Sequence, residues 1–127
     1  MTPPTVSAVL FDLDGTLIDT APEFIHIGLQ LRAEAGLPPI DAKTIWHSVS
    51  NGAIGMVEAA LEMPADDPAF EQWRQRFLTL YEGGLGDLSH PYPGLSALVA
   101  GLHKEGVAWG IVTNKLSRFA LPLIDKM

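Results

Sequence analysis

The stretch Thr5-Val-Ser-Ala-Val-Leu-Phe-Asp-Leu-Asp-Gly-Thr16 decides the fold. Residues 5–11 form a short, nearly continuous apolar run that is rich in β-forming residues, which is typical of a strand buried on both faces of a parallel sheet. Asp12 and Asp14 follow directly, and Gly15 permits a tight turn. Because ligands bind beyond the carboxyl ends of strands in open parallel sheets, we expect this loop to line a crevice.

The rest of the chain places a helical region between two strand-like runs. Apolar residues recur at helical spacing after Thr20-Ala-Pro-Glu23, which has the spacing of a capping box. Further helices are predicted over 41–49, 53–62, 67–82, 95–104 and 116–126, and a second buried strand over 107–113.

This order predicts a doubly wound, Rossmann-like α/β core with a parallel sheet and an inserted all-helical cap. Residues 1–19 form the first strand and loop of the core, residues 20–88 the cap, and residues 89–127 the continuation of the core. The helical stretch is too long for an ordinary crossover connection, which favours a separate cap over the site.

Composition excludes several function classes. The chain has 127 residues, a formal charge of −7 and a pI near 4.8, so nucleic acid and anionic membranes are not expected partners. No cysteine is present, which excludes disulfides and thiolate chemistry. The first residues do not form a signal peptide and no stretch is long enough to span a membrane, so we expect a cytoplasmic protein. A small phosphorylated metabolite stays possible as a partner of an acidic protein, because it needs only a local positive site that a bound metal can provide.

The two acids of the first loop have the spacing that phosphoryl transfer needs. Asp12 and Asp14 are two residues apart, so both carboxylates of an extended segment face the crevice. Two carboxylates this close repel each other, and a divalent cation relieves the repulsion. We therefore predict Asp12 as nucleophile, Asp14 as general acid and base, and both as contributors to a divalent-cation site.

Groups that suit the phosphate follow each predicted strand. Gly15 and Thr16 offer backbone N–H groups and a hydroxyl after the first strand. Thr113 and Asn114 end the second strand, just before a helix N-terminus that favours an anion. Lys115 adds positive charge close by, in a direction that the sequence does not fix.

These motifs resemble those of the haloacid dehalogenase superfamily of phosphohydrolases, in the subgroup with a helical cap. The resemblance is carried by Phe11-Asp-Leu-Asp-Gly-Thr-Leu-Ile-Asp-Thr20 and by Ile111-Val-Thr-Asn114. It implies the same roles for Asp12, Asp14 and Thr113, with Mg²⁺ held by the Asp12 side chain and the Asp14 backbone carbonyl. Within the family the sequence is most similar to phosphatases of phosphoglycolate and of N-acetylmuramic acid 6-phosphate, which makes 2-phosphoglycolate the first expected substrate.

The resemblance also bears on the cap and on the end of the chain. In the subgroup the cap loop at Ser50, Asn51 and Gly52 faces the catalytic carboxylates, so these residues and nearby His47 are predicted to select the substrate. The family further uses a lysine and an acidic pair located beyond Met127. We therefore expect the amino-terminal part of a phosphatase, with a core incomplete at its carboxyl end.

Other interpretations stay open at this point. The same fold serves phosphomutases and haloacid or phosphonate hydrolases, and the chain could be a truncated, non-catalytic binding fragment. A calcium loop fits poorly, because Leu17 stands where an EF-hand needs glycine. The chain has no phosphate-binding motif of nucleoside-triphosphate kinases. The oligomeric state is not predicted, although an open sheet edge favours a dimer.

Overall fold

The computed structural model describes residues 5–127. Its strands are β1 (Ala8–Phe11), β2 (Ile18–Asp19), β3 (His90–Pro91) and β4 (Ala108–Ile111). Its helices are α1 (Ala21–Glu34), α2 (Ala42–Trp46), α3 (Gly52–Leu61), α4 (Phe70–Gly83), α5 (Leu95–Lys104) and α6 (Ser117–Lys126), with a single 3₁₀ turn at Val49–Asn51.

Strands β1 and β4 form the parallel sheet that the sequence predicts. Their register pairs Ala8 with Ala108 and Phe11 with Ile111. Helices α1 to α4 lie in the connection between them, and we refer to these four helices as the helical insert. The described chain is therefore an α/β fold with an all-helical insertion after the first strand.

A small antiparallel pair closes the base of the helical insert. Strand β2, where the chain enters the insert, pairs with β3, where it returns, through Ile18 with Pro91 and Asp19 with His90. The Tyr92 backbone N–H also donates to the Leu17 carbonyl at 3.1 Å. Entry and exit are thus held side by side. The loop of residues 12–17, which we call the catalytic loop after its predicted role, lies directly before them.

The prediction that both strands are buried on both faces is wrong. Phe11 and Ile111 pack with α5 and α6 residues in one apolar cluster. On β1 the alternate side chain Leu10 is 68% exposed. Trp109 lies on the same face as Ile111 and is still 43% exposed, so the helices cover that face only in part. Within residues 5–127 the sheet has only these two strands, and side chains of a strand alternate between faces. Helices cover one face of the pair in part and leave the other open.

The helical insert has its own apolar core, and α6 contributes to it. Helices α1, α3 and α4 pack around fully buried Leu31, Met56 and Phe77. Phe119 of α6 joins this cluster, with its ring centroid 5.3 Å from that of Tyr81. Ala120, the next residue, and Leu123, one turn further, pack with the catalytic loop instead. Helix α6 therefore contributes side chains to both apolar clusters.

The predicted capping box at the start of α1 does not form. Thr20 makes no side-chain capping bond, and the Asp19 carboxylate accepts from the Ala21 N–H at 3.3 Å instead. Glu23, only 3% exposed, accepts from the Gly86 N–H at 2.8 Å and from the Ser89 hydroxyl. The returning chain offers these donors within the interior, so Glu23 turns toward them and ties the start of α1 to the exit of the insert.

The segment after α2 also differs from its prediction. The helix expected to continue to about residue 49 ends at Trp46, and a 3₁₀ turn replaces the predicted turn at 50–52. Gly52 has φ of 68°, a conformation that favours glycine. In the part of the chain that the structure describes, the longest helices have 14 residues, and none is long and apolar enough to cross a membrane.

Candidate active site

A cleft of about 1020 Å³ lies between the catalytic loop and the helical insert. Its floor is formed by the loop after β1 and by residues 114–116 after β4. Its walls come from the start of α1, the segment from Trp46 to Ile54, and α4. The predicted carboxylates and the predicted cap loop therefore face the same space.

The catalytic loop turns sharply so that alternate side chains face inward and outward. Gly15 has φ of 76°, and its N–H donates to the Ile18 carbonyl at 2.9 Å. Leu13 is fully buried below the loop, whereas Asp12 is exposed and lines the cleft. The Leu13 N–H donates to Asp12 Oδ1 at 2.8 Å, which fixes the orientation of this carboxylate at the end of β1.

Asp14 is held by a lysine from the other strand end. Lys115 Nζ donates to Asp14 Oδ1 at 3.0 Å and lies 3.2 Å from Oδ2. The Lys115 side chain is 8% exposed and that of Asp14 is 34% exposed. The two residues are 101 positions apart in sequence, and the parallel pairing of β1 with β4 brings them together.

Aromatic rings of the helical insert cover the same lysine. Lys115 Nζ lies 4.7 Å from the Tyr81 ring centroid and 5.4 Å from that of Phe24, within the range of cation–π attraction. The two rings meet edge to face at 5.1 Å. The buried Tyr81 hydroxyl has no hydrogen-bond partner among residues 5–127. Burial, followed by the charges of Asp14 and Glu23, raises the pKa of the Tyr81 phenol.

Two of the four predicted phosphate-binding residues line the cleft and two do not. Gly15 and Asn114 line the cleft, whereas Thr16 and Thr113 are not part of its lining. The Thr113 hydroxyl accepts from the Lys115 N–H at 3.1 Å and so stabilises the turn that carries the lysine. A role of these four residues in binding phosphate remains a prediction.

The predicted specificity residues all line the cleft. His47, Ser50, Asn51 and Gly52 border it on the side of the insert. Trp46, 55% exposed, lies beside them with its ring 5.6 Å from that of His47. These positions are compatible with substrate contact, and the selection of substrate by these residues remains a prediction.

Arg74 is the arginine of the cleft lining within the described chain. It donates from Nε and Nη2 to the two oxygens of Glu71, at 2.8 and 2.7 Å. Hydrogen bonds from Arg74 and then Gln75 lower the pKa of Glu71 to about 2. Its place in the cleft lining makes Arg74 the candidate contact for an anionic substrate.

The described residues supply only part of a metal site. Within residues 5–127 no group of three His, Cys, Asp or Glu side chains is placed to hold a metal ion. Asp12 and Asp14 nevertheless offer carboxylate and carbonyl oxygens at the cleft floor, and Mg²⁺ prefers such hard donors and retains several waters. The donor set therefore fits Mg²⁺ as a partial site.

Sequence reasoning missed the residues that surround Lys115. Phe24 and Tyr81 fit the apolar stripes of their helices, so nothing in the pattern separates them from ordinary core residues. The signal that was available is Lys115 itself, a cation directly after a predicted strand end. A lysine there lies close to the acids that end the neighbouring strand.

Comparisons with known proteins identify the family of the chain. A family model described as haloacid dehalogenase-like hydrolase matches residues 6–127. An N-acetylmuramic acid 6-phosphate phosphatase of Pseudomonas aeruginosa is 48% identical over 122 residues, which cover 96% of this chain and 54% of that protein. A phosphoglycolate phosphatase of Agrobacterium fabrum is 36% identical over 131 residues, covering 98% of this chain and 54% of that protein.

A solved structure supports the fold. The crystal structure of a predicted phosphoglycolate phosphatase from Haemophilus somnus superposes with a TM-score of 0.79 at 22% identity, over 96% of this chain and 57% of that one. At this level of identity the likeness concerns the fold alone. The chain spans about half the length of the curated relatives it matches.

Proposed function

Because the chain belongs to the haloacid dehalogenase-like hydrolase family, we propose that it hydrolyses phosphate monoesters through an aspartyl-phosphate on Asp12. The observation that supports this proposal is the pairing of two unlike carboxylates on one cleft floor. Asp12 is exposed to the cleft, and Asp14 is held beside it by Lys115. The Asp12 carboxylate is open to the cleft for attack, and the Asp14 carboxylate is positioned for proton transfer.

The first step transfers the phosphoryl group to the protein. An Asp12 carboxylate oxygen attacks phosphorus, and the bond from phosphorus to the ester oxygen breaks. Asp14 gives its proton to the departing alkoxide, which leaves as an alcohol. The product on the protein is an acyl phosphate of Asp12.

The second step releases phosphate. Asp14, now a carboxylate, takes a proton from a water molecule as the water oxygen attacks phosphorus. The bond between phosphorus and the Asp12 oxygen breaks, which returns Asp12 to its carboxylate form.

Mg²⁺ is the cation that the donor set suits. The Asp12 carboxylate and the Asp14 backbone carbonyl would hold it, together with water and substrate oxygens. When bound, it reduces the charge repulsion between a carboxylate nucleophile and a phosphate dianion. Without it the cleft lining carries Asp12, Asp14 and Asp19 against Lys115 and Arg74, a poor balance for an anionic substrate.

For the substrate we place N-acetylmuramic acid 6-phosphate ahead of 2-phosphoglycolate. The relative named for the amino-sugar phosphate is more similar to this chain than the one named for phosphoglycolate. The cleft of about 1020 Å³ is at the upper end of small-molecule sites, which are about 300 to 1,000 Å³. Exposed Trp46 and Tyr92 in its lining offer aromatic faces to a sugar ring.

The test measures phosphate release by the purified chain in the presence of Mg²⁺. N-acetylmuramic acid 6-phosphate, 2-phosphoglycolate and p-nitrophenyl phosphate are supplied at equal concentrations. We expect the amino-sugar phosphate to give the highest kcat/KM. We also expect Asp12→Asn to abolish release, because the amide is not a nucleophile, and Asp66→Asn at an exposed turn to match the parent.

Two results would contradict the proposal. Release of phosphate by Asp12→Asn at the parent rate would show that Asp12 is not the nucleophile. Calorimetric binding of the esters without any turnover would favour the non-catalytic binding fragment instead. A higher kcat/KM for 2-phosphoglycolate would overturn only the choice of substrate.

A further inference from the structure

We propose that Lys115 is a positioning residue for Asp14 and that the Phe24 and Tyr81 rings of the helical insert hold it in place. The inference deepens the proposed function and rests on it for its kinetic consequence. Lys115 joins the helical insert to the Asp14 carboxylate. These contacts can be tested without turnover.

The Lys115 ammonium group contacts both the catalytic loop and the helical insert. Its Nζ lies 3.0 and 3.2 Å from the Asp14 oxygens, below rings that come from α1 and α4. Its backbone is fixed as well, because the Lys115 N–H donates to the Thr113 hydroxyl. Few rotamers of the side chain satisfy all of these contacts, so the ammonium has a defined position.

The burial of this pair separates it from an ordinary surface ion pair. The Lys115 side chain is 8% exposed, and an ammonium removed from water must be compensated by a counter-charge or by polar contacts. Asp14 supplies the counter-charge and the two ring faces supply cation–π attraction. Removal of either support weakens the other, so the position of the insert rings affects how firmly Asp14 is held.

The same geometry indicates that Lys115 acts through Asp14 and not directly on the substrate. Lys115 lines the cleft, but its side chain is only 8% exposed and its ammonium group is directed to the Asp14 carboxylate and the two rings. It fixes the position of the Asp14 carboxylate, the group that activates water in the second step. Loss of Lys115 is therefore expected to slow release of phosphate from Asp12 more than it weakens substrate binding.

The kinetic test uses Lys115→Met, which keeps the length of the side chain but removes its charge. General acid–base catalysis contributes about 10²- to 10⁴-fold, so we expect kcat to fall about tenfold or more with little change in KM. Acid-quenched phospho-Asp12 should accumulate in this variant. Lys115→Arg should restore part of kcat, because arginine pairs with both oxygens of a carboxylate, and Lys104→Met on exposed α5 is the matched control.

Two kinds of kinetic result would contradict the positioning role of Lys115. An unchanged kcat, or a rise in KM with kcat retained, would overturn the positioning role and point to direct contact with substrate. A fall in kcat that only follows a smaller folded fraction, with no phospho-Asp12 and no rescue by arginine, would assign Lys115 a structural role.

A second test needs no turnover and so separates this inference from the proposed function. Lysines are acetylated briefly with a dilute amine-reactive reagent, and each site is quantified by mass spectrometry. We expect Lys115 to react more slowly than exposed Lys104 in the parent. Asp14→Asn and Tyr81→Leu should each remove this protection, whereas Tyr81→Phe, which keeps the ring, should retain it. Equal reactivity in the parent, or protection that survives both Asp14→Asn and Tyr81→Leu, would overturn the inference.

Discussion

Replacement of Glu23 tests whether this buried side chain fastens the entry of the helical insert to its exit. Glu23 is 3% exposed, and its two oxygens accept from the Gly86 N–H and the Ser89 hydroxyl. Hydrogen bonds to charged groups contribute about 1.5 to 3 kcal/mol each. Glu23→Ala loses both bonds and leaves two buried donors unpaired, so we expect the free energy of unfolding to fall by about 3 to 6 kcal/mol.

Glutamine provides the graded control. The amide oxygen of Glu23→Gln can accept from the Gly86 N–H, and its amino group can donate to the Ser89 oxygen. Only the extra strength that the charge gives to these hydrogen bonds is lost, so the free energy of unfolding should fall by about 1 kcal/mol. Ser89→Ala removes one bond and should cost about 1.5 kcal/mol or more.

The assay is urea unfolding followed by tryptophan fluorescence, since the chain has three tryptophans. A double-mutant cycle between Glu23→Ala and Ser89→Ala should show a coupling above about 1 kcal/mol, because the two residues share a bond. The reasoning would be refuted if Glu23→Ala lay within about 0.5 kcal/mol of the parent, as exposed substitutions do. Additive effects of the two substitutions would equally refute it.

The remaining predictions concern packing and ionisation. Gly28→Ala should lower the free energy of unfolding by about 1 to 2 kcal/mol, because the new Cβ would lie 3.1 Å from an Ile45 side-chain carbon. Gly101→Ala, whose Cβ would have nothing within 4 Å, should stabilise the protein in the same urea assay. The raised pKa of Tyr81 means that the folded state favours the neutral phenol. The resulting contribution to the free energy of unfolding is complete below about pH 10 and is lost at higher pH. Absorbance at 295 nm should show Tyr81 ionising only on unfolding. NMR titration should find Glu71 ionised at pH 4, with its midpoint at about 2, and Arg74→Gln should move that midpoint upward.

The part of the site that could be predicted from sequence is the part set by neighbouring residues. The first strand, the glycine turn and the two outward carboxylates all lie within residues 5–16, where strand periodicity fixes which side chains share a face. The position of Thr113 and Asn114 after the second strand followed from the same rule. The family assignment rested on these short motifs, and the comparisons confirm it.

The contacts that escaped prediction join distant parts of the chain. Lys115 reaches Asp14 across 101 positions, and its direction depends on rings from two helices of the insert. Glu23 has the spacing of a capping box, but distant Gly86 and Ser89 offer it better donors. The open face of β1 depends on how many elements cover the sheet, which an apolar run does not reveal.

The division of α6 between two apolar clusters limits how the protein can be re-engineered. Phe119 packs among side chains of the helical insert, while Ala120 and Leu123 pack beneath the catalytic loop. The insert consequently cannot be exchanged on its own. A chimera that replaces residues 20–88 by a foreign cap would leave Phe119 without its aromatic partner in the insert. A successful graft has to redesign this position of α6 together with the cap, so changes of substrate through cap exchange are coupled to a residue outside it.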